Sequence, residues 1–293
     1  MKKRKVIYTC ITSNYDVLED HRFINPNCDY VCFSNTITPN SRNKSWEIRP
    51  LKHKADDPQR TQRWHKIFAY KILPEYSESL YVDGNIEFLN ESVFRNVDRM
   101  KESDTVFASA PHPSRDCIYD EAEACITLKK DKKNIINKQI NLIKKDKFPA
   151  HYGMFENGIM YRQHNNDELK KIMREWWWWI ENYSVRDQLS LTYVLWKNNF
   201  NCKKLTNHTY RDKIRSVHFW PHNLDAREHI RHLDMHIGRL VLHLDKANQH
   251  IFQQSINIAE LHQDIRNIKD SKAYRQAITL RKLRHPSKEI SKQ

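Results

Sequence analysis

Between Gly238 and Pro286 the chain carries no glycine and no proline, and apolar residues recur there at seven-residue spacing. Glycine and proline are the residues that most readily end a helix, so nothing in this stretch stops one. One seam reads Ile230, Ile237, Leu244, Ile251, Ile258 and Ile265, and the other Leu233, Leu240, Ala247, Gln254, Leu261 and Ile268. Six heptads with one polar seam residue predict a long helix over 226–270, either paired as a coiled coil or packed along its own domain. Ile on one seam and mostly Leu on the other favours parallel two-stranded pairing, so self-association is expected. His229, His236, His243 and His250 repeat at the same spacing beside the seam.

The first 225 residues have a different texture. Short β-rich runs at 6–11, 30–33, 46–48, 105–110 and 158–161 are bounded by Asn, Asp, Pro and Ser, the punctuation of strands. Helical spacing appears at 58–73, 118–145, 167–181 and 187–196, with Pro58 suited to a first turn. A further strand, 79–88, is interrupted by Asp83-Gly84-Asn85. This alternation predicts an α/β domain with a mostly parallel central sheet. The expected organisation is a domain over 1–225, a helix over 226–270 and a basic tail over 271–293.

Composition narrows the function. Only 4 of 293 residues are glycine, which disfavours Gly-rich phosphate loops. The 8 Trp, 13 Tyr and 11 Phe exclude a disordered chain. Cys10, Cys28, Cys32, Cys117, Cys125 and Cys202 contain no C-x-x-C pair, which argues for reduced thiols rather than a zinc ribbon. The net charge is +14, and the stretch 271–293 holds seven Lys/Arg against one acidic residue. No nucleic-acid-binding motif accompanies it, so phosphorylated ligands and anionic headgroups are the expected partners. No apolar run approaches the ~20 residues of a membrane span, and the Val6–Ile11 run is short for a signal peptide. A cytoplasmic protein, at most peripheral on the inner membrane face, is the expectation.

Several constellations could carry chemistry. Asp83-Gly84-Asn85 reads either as a hairpin turn or as two oxygen ligands at a strand end, with glycine allowing close approach. Arg60, Arg63 and Lys66 share one helix face before that strand, suited to diphosphate oxygens or to a solvated face. Asp187 fits a helix N-cap as well as a functional carboxylate. Trp176–Trp179 wraps most of a helix circumference, so at least one ring should be exposed.

These pieces run in order in a pattern that resembles a known family. Tyr8-Thr-Cys-Ile-Thr-Ser-Asn-Tyr-Asp16, Arg60-x-x-Arg63-Trp-x-Lys66, Leu80-Tyr-Val-Asp83-Gly-Asn85-Ile86 and His112-Pro-x-Arg-Asp-Cys-Ile-Tyr-Asp-Glu-Ala122 are followed by Glu156-Asn-Gly158, Arg186-Asp-Gln-Leu-Ser190 and His218-Phe-Trp-Pro-His222. Over residues 6–222 the chain resembles the glycosyltransferase-like domain found in plant Golgi proteins and bacterial polysaccharide loci. The resemblance implies an A-type glycosyltransferase fold. It implies a nucleotide-sugar donor, and a glycan or lipid-linked glycan acceptor in surface-polysaccharide or glycoconjugate synthesis. It implies Mn²⁺ or Mg²⁺ on Asp83, Asn85 and His222 or His218, Asn85 standing where an aspartate is usual. Donor contacts would come from Thr12, Tyr15, Arg60, Arg63, Lys66, Asp83, His112, Arg115, Asn157 and Gln188. Catalytic carboxylates would be Asp187, Glu156 and Asp116, and the Asp187-Gln188 pair resembles that of retaining enzymes. Two alternatives stay open: a non-catalytic nucleotide- or carbohydrate-binding module, and a basic coiled-coil scaffold for anionic membrane or nucleic acid.

Overall fold

The computed structural model describes residues 5–211, 216–222 and 224–284. The basic residues 1–4 and the part of the expected tail beyond 284 lie outside the described residues. The chain divides into two compact units, 1–227 and 228–293.

The first unit is built on β1 (Lys5–Ile11), β2 (Cys28–Ser34), β3 (Glu47–Arg49), β4 (Glu78–Val82), β5 (Ile86–Phe88), β6 (Phe107–Pro111), β7 (Phe155–Gln163), β8 (Lys203–Lys204) and β9 (Val217–Phe219). Seven of these form one sheet in the order β3-β2-β1-β4-β7-β6-β8. All run in one direction except β7, which is antiparallel to both neighbours. The sheet is buried on both faces, as a mostly parallel sheet requires. Val6, Tyr8 and Cys10 of β1 enter one apolar cluster, while Ile7 and Ile11 enter the other.

Helices α1 (Pro58–Ile67), α2 (Ala69–Ile72), α3 (Ser92–Glu102), α4 (Ile118–Thr127), α5 (Lys133–Lys145), α6 (Asp167–Asn182) and α7 (Leu191–Lys197) cover the sheet. Residues of α3 supply Val93, Phe94 and Val97 to one cluster, and the other six helices serve the opposite one. Asp57 caps α1 by accepting the Arg60 amide at 2.7 Å, with Pro58 in the first turn.

The expected single helix over 58–73 is broken at Phe68 (φ −95°, ψ 46°). Its last carbonyls are engaged from the sheet. Tyr8 Oη donates to the Lys66 carbonyl at 2.7 Å and Arg162 Nη1 to the Ile67 carbonyl at 3.0 Å. The expected helix over 118–145 is likewise two helices, separated at residues 128–132. Asp187 does not cap a helix. It opens a 3₁₀ turn, Asp187–Leu189, and α7 begins only at Leu191. Of the four tryptophans on α6, Trp176, Trp177 and Trp179 are buried and Trp178 is 48% exposed.

The second unit is made of α8 (Leu224–Asp270), one unbroken helix of 47 residues whose first four belong to the first unit, followed by α9 (Lys272–Arg284). Leu233, Ile237, Leu240, Leu244, Ile251, Ile258, Leu261, Ile265 and Ile268 are all exposed along it. No described helix is long and apolar enough to cross a membrane.

Candidate active site

The strands β1 and β4 are parallel, and their C-terminal ends open onto a cleft of about 530 Å³. This is where open α/β sheets bind ligands, because the loops leaving adjacent strands part there. Asp83 follows the last residue of β4. The chain then turns out of the sheet: β5 pairs with β9 rather than folding back on β4, so Asp83-Gly84-Asn85 is not a hairpin turn. Gly84 is required by close packing, since a Cβ there would lie 2.8 Å from Ile11 Cδ1 and 3.2 Å from Asp16 Cβ.

Opposite Asp83, a bulge in β7 changes the register with β6 between Ser109 and Ala110. Ser109 Oγ holds the bulge through the carbonyls of Glu156 (3.2 Å) and Ile159 (3.3 Å). Bulges re-aim side chains, and this one sets Glu156, Asn157 and Gly158 on the cleft wall. Asn157 is 2% exposed, and neither its amide nitrogen nor its oxygen has a hydrogen-bond partner among the described residues. A buried amide left so costs folding energy, and on a cleft wall it is open to a ligand. A Cβ on Gly158 would stand 3.3 Å from Asp83 Oδ2.

Four of the five carboxylates that line the cleft are ion-paired with Lys or Arg. Lys66 Nζ lies 2.8 Å from Asp187 Oδ2 and 3.3 Å from Asp83 Oδ1, and Arg63 Nε lies 3.6 Å from Asp187 Oδ2. Burial alone would raise the Asp187 carboxyl, but Arg63, Lys66 and Arg186 hold it well below the usual carboxylate range. Glu156 accepts from Arg211 Nε at 2.6 Å; burial raises its carboxyl, and Arg211 offsets part of that rise. Arg115 pairs with the buried Glu121. His112 Nδ1 accepts the Arg115 amide at 3.0 Å, and burial lowers its pKa. Asp16 Oδ1 faces His222 Nδ1 at 2.7 Å.

Of the residues singled out in the sequence, Thr12, Tyr15, Arg63, Lys66, Asp83, Asn85, His112, Arg115, Glu156, Asn157, Asp187, Gln188 and His222 line this cleft. Three others stand elsewhere. Arg60 donates to Asp57 (2.6 Å) and to the carbonyls of Ile180 (3.0 Å) and Tyr183 (2.8 Å), tying α1 to the end of α6. Asp116 is exposed and bound to His151 at 2.8 Å. His218 pairs with Glu87 in the β5–β9 ribbon, and its ring packs on Trp220. Glu121, from the ionisable group around His112 and Arg115, also lines the cleft, as do Asp16 and Arg186, which lie inside the quoted motifs without having been chosen from them. Arg211 lies in a polar loop with no pattern around it, and its site role is visible only through Glu156 and the Phe219 ring, 4.0 Å away.

The divalent ion that the resemblance implies finds a poor ligand set here. A hard cation needs oxygen ligands carrying negative charge. The Asp83 carboxylate already accepts from Tyr81 Oη at 2.7 Å and faces the Lys66 ammonium. Asn85 is neutral, and its amide donates to the Trp220 carbonyl at 3.0 Å. Of the two histidines, His222 is engaged with Asp16 through Nδ1 and His218 stands in the β5–β9 ribbon, and Asp83, Asp187, Lys66 and Arg63 together carry no net charge, so this cluster does not favour a resident +2 ion. Among the described residues, the group of ligand-type side chains close enough to share a metal is Cys117, Asp120 and His151, none of which lines the cleft.

Residues 1–218 match the family model described as TOD1/MUCI70, glycosyltransferase-like domain. No curated protein matches the chain. Among solved structures, the apo structure of the bifunctional glycosyltransferase WbbM is similar at 10% identity and a TM-score of 0.41. That similarity covers 68% of this chain and 38% of the WbbM chain, so this chain spans well under half of that protein.

Proposed function

The chain belongs to the TOD1/MUCI70 glycosyltransferase-like domain family, and from that premise we propose that it transfers a sugar from a nucleotide-sugar donor to a glycan or lipid-linked glycan acceptor. The observation that carries this reading is the buried Lys66–Asp187–Arg63 cluster beside Asp83, at the ends of the parallel strands. Fixed cations there would meet the donor diphosphate and stabilise the charge that grows on it as the glycosidic bond breaks. Preorganised charge of this kind supplies much of an enzyme's rate enhancement.

In this reading Asp187 is a positioning residue. Its carboxylate is committed to Lys66 and Arg63 and holds them toward the ligand. Glu156 is the carboxylate we assign to the acceptor hydroxyl, because burial makes it more basic than an exposed carboxylate. Asn157 would take the donor sugar's hydroxyls with its two unpaired polar atoms. Tyr15, 58% exposed and 4.6 Å from the His222 ring, offers an aromatic face to the nucleobase. The order Asp187-Gln188 favours retention of anomeric configuration. Thr12, His112, Arg115 and Gln188 complete the donor pocket, while Arg60 and Asp116 have no role in it. Mn²⁺ or Mg²⁺ takes no step here.

The exposed heptad of α8 supports self-association as a coiled coil. With the basic tail it supports peripheral contact with an anionic membrane, at the cytoplasmic face where surface polysaccharide precursors would be met. The pairing of Asp83, Glu121, Glu156 and Asp187 with Lys or Arg also suits a module that binds donor without turning it over. A thermal-shift screen of nucleoside diphosphates and nucleotide sugars tests the binding both readings share. A specific ligand at a hundredfold excess over Kd should stabilise by ~2.7 kcal/mol; no response to any nucleotide would sink both.

A further inference from the structure

The positive charge that a diphosphate site needs is supplied by the chain itself. Lys66 Nζ stands between Asp187 Oδ2 (2.8 Å) and Asp83 Oδ1 (3.3 Å), so the two carboxylate oxygens lie within about 6 Å of each other, the sum of those distances. Lys66 is 2% exposed, and its position is fixed from several sides. Its carbonyl accepts from Tyr8 Oη at 2.7 Å, and its ammonium lies 5.0 Å from the centre of the Tyr81 ring, whose hydroxyl donates to Asp83. The ammonium faces both carboxylates, and Lys66 also lines the cleft.

We propose that Lys66, seconded by Arg63, is the resident cation of this site, and that the cleft binds a nucleoside diphosphate without Mn²⁺ or Mg²⁺. The inference rests on the donor reading above. The lining of the cleft carries six Lys/Arg side chains, Lys66 and Arg63 among them, against five carboxylates, so a diphosphate meets an excess of cations there. A +2 ion on Asp83 would instead sit a few ångströms from a buried ammonium, in surroundings where like charges are poorly screened. Without the ammonium Asp83 loses its ion-pair partner, while Asp187 keeps Arg63 and Arg186, so the freed Asp83 carboxylate is open to a hard cation brought with the diphosphate. Lys66→Met should therefore acquire a response to Mn²⁺ that the natural chain lacks.

The test measures affinity of the full chain for UDP, GDP, CDP and ADP by calorimetry, in excess EDTA and in excess MnCl₂. The best binder should bind equally in both, within about threefold. A loss of about tenfold or more in EDTA would overturn the inference while leaving the donor reading standing. Absence of binding under both conditions would instead overturn the donor reading, and the inference with it. Lys66→Met should lose at least about tenfold affinity in EDTA, the scale of removing one partner of a buried charge pair, and regain part of it with Mn²⁺. If Lys66→Met is folded and binds diphosphate unchanged in EDTA, Lys66 is not the cation. If it does not fold, the comparison of EDTA with Mn²⁺ on the natural chain decides alone.

Discussion

Lys66 and Asp187, 121 positions apart in the chain, form an ion pair of 2.8 Å in which both side chains are almost entirely buried. Breaking one side of such a pair strands the other charge, at a typical cost of ~3–5 kcal/mol. Asp187→Ala and Lys66→Met are each expected to lose about that much in urea denaturation. The double variant Lys66→Met/Asp187→Leu should recover most of the loss while nucleotide affinity stays reduced. Additive losses in the double variant would show that the two charges are not coupled.

Asn85 joins the β5–β9 ribbon rather than waiting for a metal. Its side-chain amide donates to the Trp220 carbonyl, and the Trp220 amide donates back to the Asn85 carbonyl at 2.8 Å. Asn85→Asp sets a carboxylate against that carbonyl and should cost ~1–3 kcal/mol. We expect a lowered melting temperature and no gain in Mn²⁺ affinity. Unchanged stability together with new Mn²⁺ binding would restore the metal reading.

The two cleft glycines should separate stability from binding. Gly84→Ala meets Ile11 at 2.8 Å and should destabilise by ~1–3 kcal/mol, as overpacked sites do. Gly158→Ala presses on Asp83 Oδ2 at 3.3 Å and on Ile86 Cδ1 at 3.0 Å. It is expected to weaken nucleotide affinity more than it lowers stability. Equal effects of both variants on affinity would contradict this.

Acid should unfold the first unit through three buried histidines. Burial pushes His21 down to about 3, and His65 and His164 to about 4. In the unfolded chain they take protons near 6.5, so below that pH the unfolded state binds more protons than the folded one. Their contribution is intact above pH ~6.5 and is lost as pH falls toward ~4, at up to ~1.4 kcal/mol per histidine per unit. Melting curves between pH 7.5 and 4.5 should show a steep fall beginning near 6.5; a flat profile would exclude these groups.

The exposed seam of α8 predicts an oligomer. Leu244 and Ile251 are 61% and 59% exposed along the helix. Light scattering should find the full chain associated at micromolar concentration, and the Leu244→Glu/Ile251→Glu chain should be monomeric. Equal masses for the two would remove the coiled coil.

β-rich runs with their bounding turn residues located six of the seven sheet strands, and the heptad period located the long helix, because both are local patterns; the two-residue β8 carries no such signal. The breaks at Phe68 and at residues 128–132 were not legible. At Phe68 the cause is distant: Tyr8 and Arg162 claim the carbonyls of Lys66 and Ile67. The site was half legible for the same reason. Asp83, Arg63, Lys66 and Asp187 stand in recognisable motifs, and all four line the cleft. Arg60 stands in the same motif yet is spent on Asp57 and α6, while Arg211 enters from a loop without pattern. Spacing places a side chain on a face; it does not say which partner claims it.

The most direct measurement incubates the full chain with a panel of nucleotide sugars and detects released nucleoside diphosphate, with and without a glycan acceptor. One donor should be consumed, faster with acceptor, and Asp187→Asn and Glu156→Gln should each reduce release by ~10²-fold or more. No release from any nucleotide sugar that binds the cleft would contradict the transferase account and leave a binding module.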